Sequence, residues 1–298
     1  MVDEELAGLL AAGERAVFRG VPGQGIVPLE RAELLATDLG DGSRRARASW
    51  LLGICRTAVG WYGQAVAGLT SVAQDQSLAD PARSLPASAL GSAHRQLGRH
   101  VEAHDWDETA RQSAGASAEA LCEAWLGLAS DEVGIGDAGA AGQSLIQVEA
   151  LLEGRPLWWR QRIRADWVRA EIALLAEDPG QARLAAERAL DLAEEAGAPR
   201  HVAKSLLFAG VAATAQHQVG AAIDLLSRAA VLAEGLGARP LIWPSRAMLG
   251  ALQQESAPEQ AAQSLEAARA VVREITADLA PDLADSWLAR GDVRALLG

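Results

Sequence analysis

The sequence predicts an all-α solenoid, a stack of antiparallel helix pairs in one domain. Three observations predict it. A small-residue pattern with helical spacing recurs at a nearly constant interval. A small residue, usually in a Leu-Gly step, precedes each copy. No run of alternating apolar residues is long enough for a strand.

The pattern is a small residue, an apolar or small residue four later, and another three after that. It reads Ala65, Leu69, Val72, then Ala103, Asp107, Ala110, then Ala141, Leu145, Val148. It continues as Ala182, Ala186, Ala189, then Ala222, Leu226, Ala229, then Ala261, Leu265, Ala268. The first positions lie 38, 38, 41, 40 and 39 residues apart. That spacing puts the small residues on one helical face, where two helices can approach closely. The preceding mark is Leu52-Gly53, Leu90-Gly91, Leu126-Gly127 and Leu249-Gly250, with Ala170 and Gly210 in the other two units. Gly60, Gly98 and Gly134 follow seven residues later and suit a turn.

Each unit therefore reads as helix A, turn, helix B. An irregular first pair spans Asp3–Arg19 and Pro28–Leu39, within residues 1–42. Six units fill 43–277, with Pro86, Pro156, Pro199 and Pro240 expected near helix-A starts. A closing helix is expected from Pro281 to Leu297, within 278–298. Each unit should touch mainly its neighbours, so the array should be open and curved.

Composition narrows the function classes. There are 39 acidic against 27 basic residues, a net charge of −12, which argues against nucleic acid and anionic membranes. The acidic start, Asp3-Glu4-Glu5, is unlike a secretory signal. Ser205–Ile223 lacks formal charge, but Gln216-His217-Gln218 breaks it, so it reads as a turn between buried helices. Two cysteines, Cys55 and Cys122, make no disulfide framework, and a cytoplasmic location is the expectation. Asparagine is absent, Lys204 is the sole lysine, and nine tryptophans accompany one tyrosine and two phenylalanines.

The stretch Ala89-Leu-Gly-Ser-Ala-His-Arg-Gln-Leu-Gly98, with Ala103 and Ala110 after it, resembles a tetratricopeptide repeat. The resemblance extends over residues 43–277. The units exceed the usual length of about 34 residues. In this they are similar to the long-helix repeats of large bacterial ATPase- and cyclase-type regulators, and Trp287–Leu297 resembles the ends of such arrays. The resemblance implies a right-handed superhelix, helix A on the concave face, and a protein or peptide partner held there. The two-carboxylate clamp that such repeats build from Asn and Lys cannot exist in its usual form without asparagine.

Enzyme motifs fail on context. Gly134-Ile-Gly-Asp-Ala-Gly139 matches a dinucleotide fingerprint, but a helix precedes it and acids surround it. His100 and His104 are one turn apart, yet Val101 stands where a zincin has glutamate, so no metal and no cofactor is expected. The cysteines have no neighbouring base. The chain reads as a non-enzymatic scaffold.

The strongest functional signal is basic. Arg160 and Arg164 recur 40 residues on as Arg200 and Lys204, with His201 adjacent and Trp167 beside them. Cations at helix starts oppose the macrodipole by about 0.3–1 kcal/mol each, so a repeated placement calls for an anion. Salt bridges to acids such as Asp166 or Glu153 are the alternative. The expected partner is a protein or acidic peptide on the concave face. The alternative is a sensor for a small organic anion in units four and five. Trp50, Trp125, Trp158-Trp159, Trp167 and Trp243 read as gap-fillers among alanine-rich helices or as an apolar floor for that ligand.

Overall fold

The computed structural model describes residues 2–298, and the described residues contain helices and no strand. The first pair is α1 (Val2–Arg19) and α2 (Ile26–Asp38), joined through a 3₁₀ turn at Pro22–Gly25. Six A/B pairs follow: α3 (Gly42–Val59) with α4 (Tyr62–Ala73), α5 (Asp80–Gln96) with α6 (His100–Ser113), and α7 (Ala118–Ile135) with α8 (Ala138–Leu152). Next come α9 (Trp159–Leu175) with α10 (Pro179–Glu195), α11 (Pro199–Ala215) with α12 (Val219–Gly235), and α13 (Arg239–Gln253) with α14 (Pro258–Ala277). The expected closing helix is two: α15 (Pro281–Ala289) and α16 (Gly291–Leu297), with extended backbone at Arg290 between them.

Local sequence sets these boundaries. Asp41, Ser117, Asp137 and Asp178 cap α3, α7, α8 and α10 by accepting a backbone N–H three residues on. Proline opens α10, α11, α13, α14 and α15, where a missing N–H costs nothing. Two expectations need correction. Pro86 lies inside α5, which Pro81 opens, and Pro156 sits in the turn before α9. Gly134 is within α7, and Gly136, at φ 93°, makes the left-handed turn instead. Gly134 is small because the His100 ring occupies the space a Cβ would need.

The Leu-Gly mark has a packing cause. A Cβ on Gly53 would lie 2.5 Å from Leu69, and one on Gly210 would lie 2.7 Å from Leu226. Gly250 stands in the same relation to Leu265, and Gly13 to Leu29, so the first helix pair follows the repeat's rule. The glycine on helix A is the socket for the central leucine of helix B, which follows it by about sixteen residues. Where the socket is Ala170, the residue sixteen on is Ala186, so a smaller knob matches a smaller hole. Unit three departs from the expected register. Gly127 does not face its own helix B; it faces Asp107 of the preceding unit, 2.1 Å from where its Cβ would lie. The residue sixteen before Leu145 is Ala129, and both belong to one buried cluster.

Gly53→Ala should therefore destabilise by about 1–3 kcal/mol through overpacking. This loss opposes the gain of about 1 kcal/mol that alanine brings to a free helix. Urea denaturation of Gly53→Ala, Leu69→Ala and the double variant checks it. The double should be more stable than the two losses combined, by a coupling of about 0.5–3 kcal/mol. Simple additivity would refute the socket.

The A helices from α3 to α13 pack successively on one another, which makes them the inner layer. That layer then returns on itself, contrary to the open array expected: α1 packs on α11, and α3 on α13. Tyr62 and Trp243 both meet Trp287, with ring centroids 6.0 and 5.8 Å apart. Arg239 donates to the Val59 carbonyl at 3.0 Å, and Asp278 accepts the Gly63 N–H at 2.9 Å. Arg290 donates to the Gln96 carbonyl. The accessible surface is 12705 Å². A compact globule of this mass exposes about 12,000 Å². The chain thus buries nearly as much surface as a globule of its mass.

Candidate functional site

The register of the sockets aligns three inner helices. Ten and six residues before Ala129 stand Glu119 and Glu123 on α7. The same positions before Ala170 hold Arg160 and Arg164 on α9, and before Gly210 hold Arg200 and Lys204 on α11. Consecutive units therefore carry an acidic pair, a basic pair and a second basic pair at equivalent places.

The first two pairs neutralise each other. Arg160 reaches Glu123 at 2.7 Å and Glu119 at 3.3 Å, and Arg164 also binds Glu123. Gln161 donates to Glu123 at 2.9 Å, so this carboxylate, 4% exposed, is fully held. Arg160 also lies over the Phe18 and Trp50 rings, at 4.7 and 5.5 Å. These contacts bring the end of α1 against the inner face, and Arg19 lies over Trp159 at 5.7 Å. The acids expected as salt-bridge partners are not the ones used. Asp166 pairs with Arg169 and Arg188, and Glu153 is exposed.

The third pair is different. Lys204 lies over the rings of Trp167 and Phe208, at 4.4 and 5.5 Å, and Glu171 is the acid nearest to it in effect. Arg200 makes no hydrogen bond or ion pair with any described residue, and its Nε is buried without a partner. His201, 1% exposed, stacks on Trp167 at 5.5 Å and meets Trp159 edge-on at 5.3 Å. Trp167 in turn donates to Ser205 Oγ at 2.9 Å. Burial, reinforced by neighbouring cations, brings Lys204 down to about 8 and Arg200 down to about 10. Burial and the surrounding cations hold His201 well below its ordinary range, so it is neutral near pH 7. Arg160, Arg164 and Trp167 thus lie on α9, and Arg200, His201 and Lys204 on α11, with Arg160, Trp167 and His201 buried. Sequence reading missed Glu119, Glu123, Glu171, Phe18 and Phe208.

A second polar cluster joins α5, α6 and α7. Arg95 binds Asp107 and Asp131, each at 2.7 Å, and both carboxylates are fully buried. Gly91 and Gly127 leave the space that Asp107 fills. Burial pushes both carboxyls above their usual range against the pull of Arg95.

Burial raises Cys55 to about 12 and Cys122 to about 11, so both remain thiols. His100 and His104 share a helix, and among the described residues no three His, Cys, Asp or Glu side chains converge as metal ligands. No helix among the described residues is long and apolar enough to cross a membrane.

No protein-family model matches the sequence, and no curated protein matches it. Solved structures do match. A Rap protein complexed with competence and sporulation factor superposes with a TM-score of 0.69 at 14% identity, over 99% of this chain and 88% of that one. The Rap conjugation gene regulator of plasmid pLS20, in complex with the Phr* peptide, gives 0.65 at 14% identity, over 92% and 76%. A signal-transduction ATPase with a tetratricopeptide repeat sensor, from Pyrococcus horikoshii, gives 0.57 at 14% identity, over 86% of this chain and 42% of that one. These likenesses, together with the socketed helix pairs, show that the chain has the tetratricopeptide-type α-solenoid fold.

Proposed function

We propose that this protein is a non-enzymatic scaffold that holds a protein or peptide partner on the inner face formed by its A helices. One observation carries the reading: on α9 and α11 the inner face gathers aromatic rings and cations, and Arg200 has no acid among the described residues. Two similar structures are complexes, one with competence and sporulation factor and one with the Phr* peptide. Arg160, Arg164, Trp167, Arg200, His201 and Lys204 form the proposed binding surface. A sensor for a small organic anion in units four and five is the second reading, favoured by the same unpaired Arg200. A peptide array of acidic and neutral sequences tests the main reading. Binding should be lost in Trp159→Ala/Lys204→Glu, on the inner face. It should persist in Leu184→Glu/Val231→Glu, whose leucine and valine are 50% and 66% exposed. Loss only in the second variant would overturn it.

A further inference from the structure

The inner face repeats one arrangement with a member missing. At equivalent positions of three consecutive units stand Glu119/Glu123, Arg160/Arg164 and Arg200/Lys204. The acidic pair binds the basic pair beside it. The following unit could supply an acid to Arg200 and Lys204, but its equivalent residues are Pro240 and Pro244. We propose that Arg200 and Lys204 receive a single carboxylate from a ligand, which takes the place that Glu123 takes for Arg160 and Arg164. The proposal rests on the inner-face reading above and names the chemistry recognised there.

Five features support it. Arg160 and Arg164 share the Glu123 carboxylate, whereas neither Arg200 nor Lys204 makes an ion pair with any described residue. The guanidinium of Arg200 offers a planar fork that matches a carboxylate, and Lys204 adds donors one helical turn on. Both sit in the first turns of α11, where the helix dipole also favours an anion. His201 Nδ1, buried beside Arg200, has no partner either. The rings of Trp167 and Phe208 flank Lys204, so the group carrying the carboxylate meets an aromatic wall. The carboxylate can belong to a free organic acid or to a peptide, and the two sources are separable by experiment.

Calorimetric titration of the full chain tests this with two matched pairs of probes. One is phenylacetate against phenylacetamide. The other is a capped hexapeptide library with one fixed aspartate against the same library with asparagine. At least one acid probe should bind about tenfold or more tightly than its amide, a difference of about 1.4 kcal/mol. Arg200→Gln should abolish that preference, and Arg188→Gln, which alters an exposed arginine paired to Asp166, should keep it. Thermal melts establish that both variants fold. A preference in the first pair alone identifies a free acid, and in the second alone a peptide; either supports the proposal. Equal binding of acid and amide, no binding of any probe, or a preference surviving in Arg200→Gln overturns it. Peptide binding without acid preference would leave the inner-face reading standing and remove only this inference.

Discussion

Arg95→Leu should cost about 3–5 kcal/mol, the usual effect of removing one partner from a buried ion cluster. The two carboxylates it serves, Asp107 and Asp131, have no exposed surface. Without the guanidinium, one or both must take a proton or draw in water. The loss should depend on pH, with a definite sign. Both carboxyls are already raised above the unfolded value, chiefly by burial. At any pH between the unfolded and the raised native values, the native state therefore binds more protons than the unfolded chain. Their contribution to stability is greatest below the unfolded carboxylate pKa of about 4 and falls as pH rises through the raised native values. Arg95→Leu raises those values further, so urea denaturation at about pH 5 and about pH 8 should show a larger deficit at the higher pH. Adding Asp107→Leu should recover part of the loss, because leucine at that position fills a glycine socket in the other units, as Leu69 does at Gly53. A deficit that does not depend on pH would mean that Arg95 does not set the protonation of either carboxyl.

The helix pairs were legible in the sequence because each depends on residues close in the chain. A glycine in helix A and a leucine about sixteen residues later form one knob and hole, and both are visible as letters. The basic pairs were legible for the same reason, since Arg160/Arg164 and Arg200/Lys204 recur at a fixed interval. Their acidic counterparts were hidden by a local exception. Leu126-Gly127 imitates the mark of the other units, but Gly127 is small to admit Asp107 from the preceding unit. Anchoring unit three on Ala129 instead brings Glu119 and Glu123 into line with Arg160 and Arg164. The signal was the acidic i, i+4 pair, 41 residues before the basic one.

Closure of the superhelix was not legible. It depends on small rotations between units that accumulate along the array. The contacts that close it, such as Tyr62 with Trp287 and Arg239 with Val59, join residues whose proximity no local pattern announces. Closure also brings Phe18 and Arg19 of α1 against Arg160 and Trp159.

The central claim is that equivalent cations on α9 and α11 serve different ends: Arg160 is neutralised from within, and Arg200 waits for an anion. Thermal and urea denaturation of ligand-free Arg160→Met and Arg200→Met compares them directly. Arg160→Met removes both of its ion pairs and the contact with Phe18, leaves Glu123 to Arg164 and Gln161, and should cost about 1.5–3 kcal/mol. Arg200→Met removes an unpaired, part-buried charge, and should leave stability within about 0.5 kcal/mol or raise it. Opposite or widely separated effects at these two matched positions are the predicted result. A loss at Arg200 as large as that at Arg160 would show that Arg200 holds the fold together and would contradict the account.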